Sequence, residues 1–336
     1  VRLADFDYEL PEELIAQVPI EPRHAARLLV DRGAAPPEHR HVCDLPELLA
    51  SGDLLVVNET KVMPARLRLH RRSGGHVEVL LLEPLEPTHD TWEALVRPGG
   101  RLRAGERLLF ADGTEAAELV GRAPAGDTFE VHLLGDADPL TLLDTHGEMP
   151  LPPYITAPLE RPERYQTVYA AEPGSAAAPT AGLHFTPELL ARLDAAGVEL
   201  ATVELVVGLD TFQPVSVADP RRHRMHSERY RVPAATLERC RAARRVVAVG
   251  TTSVRALESA AATGRLAGRT ELFIHRGFDW RVVDLLMTNF HLPRTTLLMM
   301  IDAFVGDRWR RLYEIAIAER YRMLSFGDAM LLDHRA

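Results

Sequence analysis

The sequence predicts an α/β protein: a larger, Rossmann-like α/β domain into which a small all-β barrel domain is inserted. Three observations carry that expectation. Apolar runs alternate with helical patterns between about residues 198 and 304, a buried-strand pattern near residue 55 breaks into a polar loop, and residues 67–150 change to short alternating segments separated by turn formers. At 336 residues and 46% hydrophobic content, the chain has material for two domains. The expected division is a discontinuous α/β domain of residues 1–66 with 151–336 and a barrel of residues 67–150.

Taken in order, Pro11-Glu12-Glu13-Leu14-Ile15-Ala16 predicts a helix with proline in its first turn. Asp53-Leu54-Leu55-Val56-Val57 is a buried-strand run that ends in Asn58-Glu59-Thr60-Lys61. About six strands follow, at 68–70, 76–80, 92–96, 107–110, 117–120 and 128–133, divided by breakers such as Gly74-Gly75, Asp112-Gly113 and Gly135-Asp136. Beyond the turn-rich stretch 147–155, the pattern reads strand 198–207, helix 233–244, strand 246–249, helix 253–262, strand 282–286 and helix 296–304. Thr186 is the expected N-cap of a further helix, with Pro187 in its first turn.

Composition narrows the function classes. The formal charge of −9 argues against coating nucleic acid by bulk electrostatics, although a local basic face is compatible with it. Two cysteines, Cys43 and Cys240, make neither a disulfide framework nor a four-cysteine metal site. No apolar run reaches the ~20 residues of a membrane span, and Val1-Arg2-Leu3-Ala4-Asp5 does not open a signal peptide, so a cytoplasmic protein without a membrane role is expected. His39-x-His41 and His223-x-x-His226 lack accompanying ligands, and no metal is expected. Neither a G-x-G-x-x-G nor a G-x-x-x-x-G-K loop occurs. Lys61 is the only lysine, either a chance surface residue or a compact ammonium kept for an anion.

Several apolar strands end in polar loops: Val57 in Asn58-Glu59-Thr60-Lys61, Val249 in Gly250-Thr251-Thr252-Ser253, and Leu286-Met287 in Thr288-Asn289-Phe290-His291. Loops at the carboxyl ends of strands converge in open α/β sheets, so these remote segments are expected to share a ligand crevice. Gly250 to Arg255 puts hydroxyls and free N–H groups at a helix start, suited either to an anion or to plain capping. Ala178 to Pro187 adds His184 beside Gly182. The run Arg221 to Arg231, followed by Arg239, Arg241, Arg244 and Arg245, is either a phosphate-tracking surface or a solvated arginine-rich face.

Nearly the whole chain resembles the S-adenosylmethionine:tRNA ribosyltransferase-isomerase family of queuosine biosynthesis. The resemblance rests on Phe6 to Pro11, Asn58 to Arg66, Met149 to Tyr154, Tyr165-Gln166-Thr167-Val168-Tyr169, Ala178 to Phe185, Met225 to Glu228, Val249 to Arg255 with Glu258, Thr288 to Pro293, and Tyr321 to Met330. It implies S-adenosylmethionine as a ribosyl donor. The acceptor would be the aminomethyl group of a tRNA wobble 7-aminomethyl-7-deazaguanine, with epoxyqueuosine, adenine and methionine as products.

On that resemblance His184, His226 and His291 are the candidate acid–base residues, since the chemistry needs a proton removed beside the sulfonium and a proton supplied to leaving adenine. Asn58, Thr180, Gly182, Thr251, Thr252, Ser253, Arg255 and Asn289 are the candidate contacts to S-adenosylmethionine. Lys61, Arg66, Arg222, Arg224, Arg229 and Tyr230 are the candidate contacts to tRNA, and a monomer is favoured. Val206, Asp210 and Asp302 depart from the family pattern, which usually has His, Gly and Ser there. They keep two alternatives open: a non-catalytic RNA-binding relative, and a transferase consuming S-adenosylmethionine with another nucleoside.

Overall fold

The computed structural model of the chain describes residues 2–86, 88–100, 102–123, 128–135, 138–207, 225 and 227–336. In chain order the first elements are β1 (Arg27–Val30), β2 (Glu38–His41), α1 (Leu45–Leu48), β3 (Asp53–Asn58) and β4 (Thr60–Val62). Next come β5 (Arg66–Arg71), β6 (His76–Pro84), β7 (Thr91–Arg97), β8 (Arg107–Leu109), β9 (Glu115–Arg122), β10 (Phe129–Leu133), α2 (Pro139–His146) and β11 (Glu172–Ser175). The rest are α3 (Pro187–Ala195), β12 (Glu199–Leu205), β13 (Glu228–Arg231), α4 (Ala234–Ala242), β14 (Arg245–Val249), α5 (Gly250–Thr263), β15 (Ala267–Thr270), β16 (Leu285–Asn289), α6 (Thr296–Val305), α7 (Arg308–Ala318) and β17 (Ala329–Asp333).

The chain divides into two compact units, one of Val1–Thr60, Pro152–Glu172 and Ala178–Ala336, the other of Lys61–Leu151 with Pro173–Ala177. The sequence division at 66/67 therefore falls at 60/61, and a short segment near residue 175 joins the second unit. In that unit β5 to β10 close into a barrel of order β10-β7-β6-β5-β8-β9. Alternation supplies its core: Leu67, Leu69, Val77, Val79, Trp92, Ala94 and Val131 point inward between polar neighbours.

In the first unit, nine strands among the described residues form one sheet of order β15-β13-β12-β3-β14-β16-β17-β1-β2. β12, β3, β14 and β16 are mutually parallel, as their near-continuous apolar runs require when both faces are covered. Leu55, Val57, Val247, Val249, Leu285 and Met287 pack on Ala181, Phe185, Leu189 and Leu193 on one face. Asp53 starts β3 fully buried because Arg245 forks onto its carboxylate at 3.0 and 2.5 Å.

One predicted element does not form as expected. Pro11 to Ala16 makes only a short 3-10 turn, Glu12–Leu14, because the Met323 N–H donates to Leu14 O and the Ala16 N–H donates to Met323 O, which draws the chain out into a β-bridge. Strand 282–286 is shifted to β16, since Asp284 caps the neighbouring strand by accepting the Val246 N–H at 2.8 Å.

Candidate active site at the carboxyl edge of the sheet

The four parallel strands bring Leu205, Asn58, Val249 and Asn289 to one edge, and the antiparallel β17 begins beside Asn289 at Ala329. α5 starts there at Gly250, whose φ of +83° suits only glycine and turns the chain from strand into helix. The Gly250 Cα faces Ala181, so that an added Cβ would stand 3.6 Å from the Ala181 Cβ. The 3-10 turn Thr180–His184 thereby lies against the start of α5. Thr180 Oγ1 donates to Asn289 Oδ1 at 3.0 Å, and Asn289 Nδ2 donates to Asp328 O at 3.3 Å. Thr180, Gly182, Thr251, Thr252 and Asn289 are thus gathered at this edge.

Two residues absent from the sequence-derived set join them. A Cβ on Gly182 would lie 2.1 Å from Tyr169 Oη and 3.0 Å from Thr167 Cγ2, so both side chains crowd this glycine. Arg23 holds their segment in place: Nη1 donates to Gln166 O at 2.6 Å and Leu183 O at 3.4 Å, and Nη2 donates to Glu163 O at 3.0 Å. Tyr169 Oη, Thr167 Oγ1 and Thr252 Oγ1 are all buried without a hydrogen-bond partner among the described residues. Burial pushes the Tyr169 phenol above its ordinary range, so it stays a protonated donor. Each orphaned hydroxyl costs about 1–3 kcal/mol in a sealed interior, and three around one glycine and one helix start mark where a polar ligand would repay them.

The structure corrects several expected contacts. Asn58, fully buried, donates from Nδ2 to Leu205 O at 2.9 Å and accepts the Leu205 and Thr60 N–H groups at 3.2 Å, so its amide is largely spent on the strand ends. Ser253 Oγ donates back to Val249 O at 2.7 Å, one turn up its own helix. Arg255 is buried in an ion pair with Glu228 and its Nε donates to Leu272 O at 3.3 Å, while its Nη2 is buried without a hydrogen-bond partner among the described residues. Tyr230 is only 2% exposed, with its hydroxyl 3.2 Å from Thr263 Oγ1 and Arg265 O, and offers no stacking face. Arg66 serves the barrel unit, with Nη2 donating to Leu151 O at 3.1 Å. Lys61 in that unit and Arg229 on β13 are exposed, whereas Arg222, Arg224, His226 and Asp210 lie outside the described residues.

The two candidate histidines among the described residues differ. His184 is 5% exposed, with Nδ1 3.0 Å from Ala181 O and Nε2 2.9 Å from Gly327 O. Both nitrogens meet backbone carbonyls, so the ring ties the 180–184 turn to the segment before β17 and presents no free nitrogen to a substrate. In this arrangement His184 holds the turn in place, which differs from its expected role as base or acid. Burial holds its pKa below the ordinary value although the two carbonyls favour the cation. His291 has Nε2 2.9 Å from Thr288 Oγ1, and no hydrogen bond to its Nδ1 occurs among the described residues. Its backbone is clamped, the N–H donating to Tyr313 Oη at 2.9 Å and the carbonyl accepting from Tyr8 Oη at 2.5 Å. Strand alternation sends Thr288 to the face opposite Asn289, so His291 stands across the sheet from Thr180.

Burial lowers the His291 pKa from 6.5 to about 4. Because the folded value is depressed, the unfolded chain takes the proton first: the stabilisation is complete above pH 6.5 and is lost as pH falls towards 4. At 1.36 kcal/mol per unit the loss reaches about 3 kcal/mol. His291→Asn is expected to remove that share of the pH dependence, read as denaturant midpoints of parent and variant at pH 7 and 4.5. Identical slopes in the two proteins would exclude it.

The departures from the family pattern also find places. Asp302 accepts from Arg276 at 2.6 and 3.1 Å and from Trp309 Nε1 at 3.1 Å, a buried anchor between α6 and α7. Val206 is 7% exposed, its N–H donating to Arg229 O at 2.9 Å.

An open mixed sheet with four parallel central strands, and with orphaned hydroxyls and a helix N-terminus at its carboxyl edge, defines an α/β protein whose strand ends carry groups suited to a polar small molecule. A family model described as queuosine biosynthesis protein matches residues 3–332. The S-adenosylmethionine:tRNA ribosyltransferase-isomerase of Symbiobacterium thermophilum is 54% identical, covering 99% of this chain and 100% of that protein. Its namesake from Synechococcus elongatus is 51% identical, covering 98% of this chain and 96% of that protein. The crystal structure of S-adenosylmethionine tRNA ribosyltransferase from Thermotoga maritima matches with 40% identity and a TM-score of 0.55, covering 97% of this chain and 99% of that one. The chain belongs to the queuosine biosynthesis protein family.

Proposed function

We propose that this protein is an S-adenosylmethionine:tRNA ribosyltransferase-isomerase. The observation that carries the reading is the end-to-end match, 54% identity across 99% of the chain, to a protein of that name. In this reaction the ribosyl group of S-adenosylmethionine passes to the aminomethyl nitrogen of 7-aminomethyl-7-deazaguanine at the tRNA wobble position. It isomerises to the epoxycyclopentanediol of epoxyqueuosine, and adenine and methionine leave.

The carboxyl-edge cluster supports a role in holding the donor. Thr252 Oγ1, Thr167 Oγ1 and Tyr169 Oη are unpaired hydroxyls available to ribose hydroxyls or adenine nitrogens, and the free N–H groups of the first α5 turn suit the donor's carboxylate. His291, neutral near pH 7 and with Nδ1 unengaged among the described residues, is a candidate proton acceptor on the face of the sheet opposite Thr180, with His226 the other candidate. Lys61 and Arg229, both exposed, are retained as tRNA contacts, and a cytoplasmic location fits a tRNA substrate.

Adenine release measured with and without tRNA bearing the aminomethyl base tests the function. Release should require that tRNA; release without it, or none at all, would defeat the reading. Thr252→Val should raise KM for S-adenosylmethionine about 5–10-fold, the worth of about 1–1.4 kcal/mol for one hydrogen bond, with the fold retained. An unchanged KM would remove Thr252 from the donor site.

A further inference from the structure

The arginines that follow the basic run separate in the structure into paired and unpaired ones. Arg239 pairs with Glu199 at 2.7 Å and Arg245 with Asp53 at 2.5 Å, whereas Arg241 has no partner among the described residues. Arg241 lines a cavity of about 460 Å³ at the amino edge of the sheet, where it meets Arg281 and Arg335. These three cations come from α4, from the segment before β16 and from the segment after β17, so no local sequence pattern makes the cluster. α5 joins the two edges: its 14 residues place the cavity roughly 21 Å from Gly250 at 1.5 Å per residue.

The three arginines are unequally paired. Arg335 pairs with Asp284, while Arg281 has only a 3.5 Å bond to Ala261 O and an exposed carboxylate, Asp279, at 3.8 Å. The carboxyl ends of α4 and α5 contribute about half a negative charge each. With Asp284, Asp279 and the two helix ends the formal charges roughly balance, so what the cavity offers an anion is the Arg241 guanidinium, which has no carboxylate partner among the described residues, and the loosely held Arg281 guanidinium. Leu237 and Leu266 supply an apolar wall, and Leu266 is 42% exposed, so the rim is open to solvent rather than enclosed. Cys240 on the wall brings no chemistry, because burial pushes its thiol up to about 11.

We propose that this cavity is a phosphodiester-binding groove that grips the substrate tRNA away from its wobble base. The naming of the RNA rests on the ribosyl-transfer reading. An open rim with guanidiniums from three segments suits a strand passing across it, and roughly 21 Å is a short span for a tRNA reaching from this groove to the carboxyl edge.

The test is the salt dependence of tRNA binding by the full chain, with Arg241→Gln combined with Arg281→Gln, and Arg311→Gln on exposed α7 as the control. Two lost phosphate contacts should flatten the slope of log K against log salt by about 1.4–1.8. Adenine release at saturating tRNA should match the parent, and Arg311→Gln should leave the slope in place. An unchanged slope in the double variant, or equal flattening in Arg311→Gln, would overturn the groove. So would adenosine monophosphate binding that the double variant loses while its tRNA slope holds, since that marks a small phosphate ester as the occupant. A parent that binds tRNA but releases no adenine would sink the ribosyl-transfer reading alone, and a flattened slope would still uphold the groove.

Discussion

Gly182→Ala should cost about 1–3 kcal/mol of stability and most of the activity, because the new Cβ would stand 2.1 Å from Tyr169 Oη in a packed turn. Tyr169 is a stiff two-torsion side chain set edge-on to Phe185 at 6.3 Å, so its hydroxyl moves only if the ring does. Adding Tyr169→Phe deletes the clashing oxygen. The double variant should therefore recover most of the lost stability, with a coupling of about 1 kcal/mol or more, while turnover stays at least about tenfold down because the donor hydroxyl is gone. Denaturation midpoints and adenine release read the two effects separately. A Gly182→Ala protein as stable as the parent, or a double variant no better than the single, would show that the turn relaxes around the added methyl group.

Glu228→Ala is expected to be the most damaging substitution outside the candidate site, at about 3–5 kcal/mol. The side chains of Arg255 and Glu228 are only 7% and 2% exposed, so removing the carboxylate strands a guanidinium in the interior. Arg255 lies one turn beyond Thr251 and Thr252, and the pair fixes α5 against β13 at the end that carries the unpaired hydroxyl. Replacing both partners, Glu228→Leu with Arg255→Met, should return stability to within about 1 kcal/mol of the parent, since no charge is left unpaired. Urea midpoints at constant m decide it. A loss below about 1 kcal/mol for Glu228→Ala would mean that the guanidinium finds water.

The candidate site was partly legible in advance because strand-end loops announce themselves. An apolar run that stops at Asn58, Gly250 or Asn289 states where a strand ends, and parallel strands end together. What each polar residue does there was not legible. Asn58 and Ser253 look like ligand contacts in the sequence, yet the backbone groups of Leu205 and Val249 consume them. His184, the most conspicuous candidate, is taken up by two carbonyls, one of them 143 residues away at Gly327. Thr167 and Tyr169 stood in a segment that carries the family resemblance, but nothing in its spacing says that their hydroxyls go unpaired. Asp302 shows the converse: a departure that suggested altered chemistry holds Arg276 and Trp309 instead.

The sequence by itself determined the two-part α/β and barrel architecture, the Thr186 cap, whose Oγ1 accepts the Leu189 N–H, and the family, since periodicity, capping and motif order are local properties of the chain. Only the tertiary structure decided that β2, β13 and β15, with sequences EHRH, ERYR and AGRT, are strands of the main sheet, because their backbone hydrogen bonds form with partners remote in the chain. It likewise decided which polar groups remain unpaired. A hydroxyl's availability depends on every neighbour the fold brings within hydrogen-bonding range, and those neighbours are set by packing across the whole unit rather than by the residues beside it.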